Sequence, residues 1–485
     1  MIRTYLKYIK NLVMTEPKKN IISIVGTTGV GKSQFSIDLA QAINGEIINA
    51  DSMQVYKKLD NITNKHPIKE RAGIPHHVMD HVNWDEKYFI HRFSKEANDA
   101  IKDIHSRGKI PIVIGGTHYY LQNLLFNNKT IEGAPSDKNE QANEIQLTEE
   151  QVSILDGPVD RIFETLKTID PVISEKFHPQ DRRKLRRALE IFYRTGEKPS
   201  TIYHEQKIEE LEESSLRYNT LLFWVFSDPE VLKDRLDKRV DTMMESGARS
   251  EIEELYEVYE KQDPKPDCGS GIWQVIGFKE FLPWLDSKGD ESVNDKTRKL
   301  LFENGIERMK IRTRQYAKYQ VKWIRKLLSV ELQKEARFNF KYGGKLYLLD
   351  ATDLTKWQEN VGKIGMEIAR QFLANGPSAV TIPQAPEHLQ DIIPKEDFFS
   401  NFKSNKTLGS ESNWKHYECS VCKDKDGKPL VAVGEASWKI HIESRRHSRS
   451  VSAGDKKRKH EELIKQYSKR KELSKTEKDD YTESK

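Results

Sequence analysis

Short continuous apolar runs alternate along this chain with longer segments in which apolar residues return every three or four positions. Ile21 to Val25, Ile110 to Ile114 and Thr220 to Phe226 are runs of the first kind. They are too short for buried helices and are bounded by turn residues, so they predict parallel strands covered on both faces. Further strands are predicted over 46–50 and 345–349, and helices over 34–43 and 88–106. Asp228-Pro229 predicts the cap of a helix that stops at Gly247. A long helix over about 295–328 and a closing helix to about Ala374 complete an alternating α/β pattern, the signature of a parallel-sheet core.

The alternation is interrupted once. Residues 127–151 are polar, and helical periodicity over about 158–203 predicts an inserted all-helical lobe. After Ala374 the chain turns linker-like, then carries a small Cys/His module and a tail charged at nearly every other position. The predicted parts are a leading segment 1–19, core 20–130, lobe 131–217, core 218–374, linker 375–412, module 413–450 and tail 451–485.

Composition narrows the class. The chain has 485 residues, a net charge of +5 and only three cysteines, Cys268, Cys419 and Cys422. A disulfide framework is therefore not expected, and a reducing compartment is. No apolar run is long enough to span a bilayer, so no stable membrane association is expected. The first fifteen residues carry Arg3, Lys7 and Lys10, no acid and an apolar helical face. They read as a mitochondrial presequence that a start at Met14 would remove, or as a frayed basic terminus. Expected locations are cytoplasm and mitochondrion, with KKRK at Lys456 to Lys459 admitting the nucleus.

The segment GTTGVGKS follows the first strand. Glycines at Gly26, Gly29 and Gly31 let the amides of Thr27, Thr28 and Val30 turn toward phosphate oxygens. Lys32 adds a cation, and Ser33 can ligate Mg²⁺ at a helix N-terminus. Any diphosphate fits such a loop. A nucleotide kinase would place an acid after a second core strand, but the strand ending at Ile114 runs into Gly115-Gly116-Thr117. The candidate acid is Asp51, after the strand over 46–50, where open α/β sheets bind ligands. Capping of the next turn is the alternative use for it.

GTTGVGKS, DSMQVY (Asp51 to Tyr56), PHHVMD (Pro75 to Asp80) and GGTHYY (Gly115 to Tyr120) occur in order, followed by HPQDRRKLRRALE, KRVDTMMESG, IWQVIGFKE and TRQYAKYQVKWIR. Over about 21–350 this set closely resembles the tRNA dimethylallyltransferase, or tRNA isopentenyltransferase, family. The resemblance implies a P-loop NTPase-like core that moves a dimethylallyl group from its diphosphate to the exocyclic amine of the adenine 3′ of a tRNA anticodon. It implies that Asp51 is the general base, that Thr117, Arg239 and Lys32 face the reacting groups and diphosphate, and that Asp51, Ser52, Met53 and Gln54 contact the base. Arg183, Lys184, Arg186 and Arg187, beside an apolar stripe, suit RNA phosphates or form an ordinary solvated face. Gln274 can reach an RNA base, and Trp273 either stacks on one or packs in the core. Tyr319 departs from the family, which generally has Arg there; Arg314, Lys318 and Lys322 lie nearby as substitutes.

Cys419-x2-Cys422 and His441-x5-His447 supply two thiolates and two imidazoles at zinc-ligand spacing. The long histidine gap resembles matrin or U1-type fingers. With Arg445, Arg446 and Arg449 alongside, an RNA contact is expected, or else a purely structural zinc knob. His416 is expected to be a surface residue. The partners expected are a tRNA anticodon stem-loop and dimethylallyl diphosphate, bound by a monomer. A P-loop kinase or NTPase, and a non-catalytic RNA-binding adaptor, are the competing classes.

Overall fold

The computed structural model describes residues 18–127, 147–212, 214–393, 414–424 and 427–452. In chain order the strands are β1 (Asn20–Gly26), β2 (Gly45–Asn49), β3 (His76–His77), β4 (Ile110–Ile114), β5 (Asn219–Phe226), β6 (Gly343–Asp350), β7 (His416–Lys423) and β8 (Pro429–Val433). The principal helices are α1 (Lys32–Ile43), α2 (Ile90–Ser106), α3 (His118–Leu125), α4 (Glu149–Asp156), α5 (Val159–Ile169), α6 (Pro171–Lys176), α7 (Arg182–Thr195), α8 (Pro199–Glu212), α9 (Pro229–Met243), α10 (Arg249–Glu260), α11 (Asp295–Trp323), α12 (Ile364–Asn375) and α13 (Glu435–Ile442). Two compact units result, one of residues 1–130 and 210–399, the other of 131–209 and 400–485.

The first unit is built on a sheet of order β3-β2-β4-β1-β5-β6, parallel throughout. Its apolar strands feed two cores by simple alternation. Ile21 and Val25 of β1 and Leu222 and Trp224 of β5 face one side, while Ile22 and Ile24 with Leu221 and Phe223 face the other. Glu46 is the charged exception on β2. Its carboxylate, 2% exposed, is held by Arg107, Lys109 and His77.

One element is added to those expected. The two-residue edge strand β3 has no apolar alternation to announce it; it forms because His76 and His77 register against Ile47 and Ile48. Gly247 ends its helix as expected: its φ of 114° is non-helical, and after this kink a second helix, α10, begins. The long helix α11 continues past Trp323 through a wider, π-type turn over Ile324–Leu328, which reaches the expected end.

The second unit has its own core of Leu155, Ile162, Leu166, Ile173, Leu185, Ala188 and Leu189. The β7–β8 hairpin docks on this lobe. His416 Nε2 donates to the Phe177 carbonyl at 2.9 Å, so His416 is not a bare surface residue. The Gln180 amide donates to His178 Nδ1 at 3.1 Å, leaving His178 Nε2–H for the Val431 carbonyl at 3.2 Å. Lys428 pairs with Asp160 at 3.2 Å. Residues 1–17 of the leading segment, half of the linker (394–412) and the tail with KKRK lie outside the described residues.

Candidate active site and metal centre

A cavity of about 720 Å³ opens at the carboxyl ends of β1, β2 and β4. Thr28, Gly29, Gly31, Lys32 and Ser33 form one wall, and Asp51 to Gln54 form another. Gly31 sits at the N-cap of α1 with φ 89° and supplies no side-chain cap, so the first amides of that helix are left for an anion. Thr27 and Val30 are buried beneath the loop, and Gly26 lies so close to β5 that a Cβ would meet the Val225 carbonyl oxygen at 2.4 Å.

Two cations face this space. Lys32 Nζ donates to the Thr27 carbonyl at 2.7 Å, and burial lowers its pKa to about 8 although Asp51 pulls it back up. Arg239, on α9, lines the cavity rather than the surface, and burial lowers its pKa to about 10. Among the described residues no ion pair or hydrogen bond holds its guanidinium. An uncompensated guanidinium beside a buried ammonium marks an anion site.

Asp51 is positioned from all sides. Its amide donates to Asn49 Oδ1 at 3.0 Å, while Asn49 Nδ2 donates to the carbonyls of Asp51 (3.1 Å) and Val78 (2.9 Å). The Met53 amide donates to Asp51 Oδ1 at 2.9 Å. Burial raises the carboxyl's pKa above its ordinary value, opposed by the amides of Met53, Gln54 and Gly116 and by Lys32.

Other sequence-predicted residues are placed less directly. Thr117 does not line the cavity; its hydroxyl donates to Ser52 Oγ at 3.1 Å and accepts from the Ser52 amide at 3.0 Å. The Gln54 side-chain amide donates to the carbonyls of Thr63 (3.2 Å) and Asn64 (3.0 Å). Gln274 is exposed at the cavity, whereas Trp273 is core, packed with Tyr259 and Phe278. Tyr319 is 61% exposed at the cavity wall. Arg314, a supposed substitute for the missing arginine, is instead paired with Asp237.

Sequence reading passed over Tyr316 and Gln320. They sit one turn apart on α11, an uncharged stripe in a basic helix that could have signalled an inward face. The Tyr316 hydroxyl donates to the Gly116 carbonyl at 3.0 Å. Gln320 Nε2 donates to the same carbonyl at 3.1 Å, and its Oε1 accepts the Thr28 amide at 2.9 Å.

In the second unit the basic helix α7 is less open than its sequence predicts. Arg186 pairs with Asp156 and Glu190, Arg187 with Glu190, and Lys184 with Asp181. Arg183 is exposed, with no ion pair among the described residues. The ligand atoms of Cys419, Cys422, His441 and His447 lie within 4.8 Å of one another. Cys419 and Cys422 are buried, and His441 Nε2 is buried without a hydrogen-bond partner. Two thiols, an orphaned imidazole nitrogen and a second imidazole at that spacing fit a tetrahedral zinc site.

The IPP transferase family model matches residues 54–327, and an isopentenyl transferase model matches 19–72. A tRNA dimethylallyltransferase of Saccharomyces cerevisiae is 49% identical over 89% of this chain and 92% of that protein. One of Schizosaccharomyces pombe is 40% identical over 89% and 95%, and one of Homo sapiens 31% over 88% and 85%. A crystal structure of a eukaryotic dimethylallyltransferase acting on tRNA superposes with a TM-score of 0.75 at 48% identity, covering 92% of this chain and 99% of that one. The chain belongs to the IPP transferase family, as a eukaryotic-type tRNA dimethylallyltransferase.

Proposed function

We propose that the cavity binds dimethylallyl diphosphate and one unstacked adenine of a tRNA anticodon loop, and joins them. The observation that carries this reading is the pairing of an anion-binding loop, Lys32 and Arg239, with a single carboxylate, Asp51, facing the same cavity. The amine nitrogen forms a bond to the allylic carbon as the carbon–oxygen bond breaks. The bonding pair leaves with the diphosphate, and the amine proton passes to Asp51, giving isopentenyladenosine. Lys32, Arg239 and the loop amides meet the charge that grows on the leaving group. Met79, Met243 and Met309 supply apolar lining for a five-carbon group. Ser33 is the hydroxyl the loop offers to Mg²⁺, which would neutralise further charge on the diphosphate.

An adenine must leave its stack to reach Asp51. Asp51 to Gln54 and Gln274 line the space it enters. Arg183, with Lys184, Arg186 and Arg187, presents the basic face of α7 to RNA phosphates. Zinc on Cys419, Cys422, His441 and His447 would hold the finger's fold, with Arg445, Arg446 and Arg449 toward RNA. The working state is a monomer in cytoplasm and mitochondrion, with a nuclear share through the basic tail. Among the described residues no helix is long and apolar enough to cross a membrane.

The test is to incubate the protein with an anticodon stem-loop, Mg²⁺ and either prenyl-labelled dimethylallyl diphosphate or γ-labelled ATP. Prenyl label in RNA is the expected result. Release or transfer of γ-phosphate would favour a kinase or NTPase, and RNA binding without turnover would favour an adaptor.

A further inference from the structure

Gln320 is 1% exposed, and both ends of its amide are used. Its Oε1 takes the amide of Thr28, one of the loop amides expected to face a diphosphate, and its Nε2–H holds the Gly116 carbonyl. The Gly116 backbone also lies against the Asp51 carboxylate, so close that a Cβ on Gly116 would stand 3.0 Å from Asp51 Oδ2, and it lowers that carboxyl's pKa. A path of two hydrogen bonds and one close backbone approach thus runs from the phosphate-binding loop through one side chain and one backbone residue to Asp51. Gly116 has no room for anything else: a Cβ would lie 2.8 Å from Gln320 Nε2, 3.0 Å from Asp51 Oδ2 and 3.2 Å from the Tyr316 hydroxyl. The same helix also packs on α3, since Trp323 stacks on the buried ring of His118.

Chains of this kind fix geometry because each bond polarises and orients the next. An amide in this position can satisfy both neighbours; an apolar side chain satisfies neither and leaves a buried carbonyl and N–H to find new partners. We propose that Gln320 is a positioning residue for the transfer step, tying the diphosphate loop to the Gly116 residue that holds the Asp51 carboxylate in place. The proposal rests on Asp51 acting as the general base.

The experiment compares Gln320→Met, Tyr316→Phe and Asp51→Asn in the full-length protein with zinc bound, reading kcat and KM for each substrate, the pH profile of kcat and the melting temperature. Asp51 is also faced by Lys32 from α1, Tyr316 from α11 and Tyr120 from α3, and these three are unchanged in Gln320→Met. Gln320→Met is expected to lower kcat by about tenfold to a hundredfold, the loss typical of a group held slightly out of place. KM for both substrates should change by less than about threefold. The acid limb of the kcat profile should move to higher pH as the Gly116 backbone, which lowers the carboxyl's pKa, shifts away from it. Tyr316→Phe, which removes the second bond to the Gly116 carbonyl, should move that limb in the same direction by less. A Gln320→Met protein with a lowered melting temperature but an unchanged limb and kcat would overturn the proposal and leave only packing. Should that variant not fold, an unmoved limb in Tyr316→Phe overturns it alone. Retained transfer in Asp51→Asn would overturn the underlying reading instead, whereas loss there with wild-type behaviour in Gln320→Met would sink this inference only.

Discussion

Lys32 and Asp51 shift each other's proton affinity in opposite directions across the cavity: the carboxylate pulls the buried ammonium's pKa up, and the ammonium pulls the buried carboxyl's pKa down. Neither pull cancels burial. Lys32 still falls to about 8, and Asp51 still stands above its ordinary value. The pair therefore holds a cation ready to give up its proton and a base ready to take one.

Asp51→Asn keeps the side chain's shape and removes its basicity. Transfer should fall by about a hundredfold to ten-thousandfold, with RNA affinity within about threefold of the parent. A base works only when ionised, so a raised pKa moves the acid limb of kcat above the usual carboxylate range. Steady-state rates across pH, with RNA binding measured separately, check both statements.

Anion binding should weaken in alkali earlier than an ordinary lysine would allow. As the pH rises through about 8 the unliganded Lys32 loses its proton, and the loop loses one charge. Between about pH 7 and about pH 9 the affinity for inorganic pyrophosphate should drop by about tenfold, since a bound anion favours the protonated form. Arg239→Gln should cost about tenfold to a hundredfold at neutral pH. Calorimetric titration with pyrophosphate reads both.

The sheet has an acid-sensitive anchor at Glu46, on the strand that leads to Asp51. Arg107, then Lys109 and His77, hold this carboxyl well below the ordinary carboxylate range. A depressed carboxyl pKa contributes stability that is present above the unfolded value and lost as pH falls toward the folded one. That window opens at about 4.5 and extends downward. Glu46→Gln should destabilise the core by about 1–3 kcal/mol at neutral pH, a figure reduced because Arg107 and Lys109 are 38% and 31% exposed. Urea unfolding should show the gap to the parent closing in acid.

Breaking the Cys/His quartet tests the second unit. Cys419→Ala should abolish bound zinc and, because the hairpin docks on the lobe through His416, His178 and Lys428, lower the lobe's protection in hydrogen exchange as well. RNA affinity should fall more than turnover at saturating RNA. Arg183→Ala, at the unpaired position of α7, should weaken RNA binding and reduce the slope of log affinity against log salt by about 1.

The parts of this molecule written in local pattern were legible before the structure. The buried runs at β1, β4 and β5, the glycine-rich loop before α1 and the Cys/His quartet each announce themselves through spacing. Positions set by long-range partners did not. Gln320 and Gly116 are 204 residues apart in sequence, and nothing near Gln320 reports that its amide is consumed at both ends. Arg314 reads as a free cation until Asp237 is found beside it, and Arg186 reads as open until Asp156, 30 residues away, pairs with it. β3 was invisible because two histidines carry no strand period, only a register against β2.

A prenyl diphosphate held by the loop at Gly26 to Ser33 should leave its allyl group on adenine nitrogen. The most direct measurement is single-turnover incubation with labelled dimethylallyl diphosphate and an anticodon stem-loop, followed by digestion to nucleosides and mass analysis. The account predicts one adenosine per stem-loop, the one 3′ of the anticodon, carrying a five-carbon group, with pyrophosphate released in equal amount. RNA returned unmodified while the diphosphate is hydrolysed, or label on any other nucleoside, would contradict it.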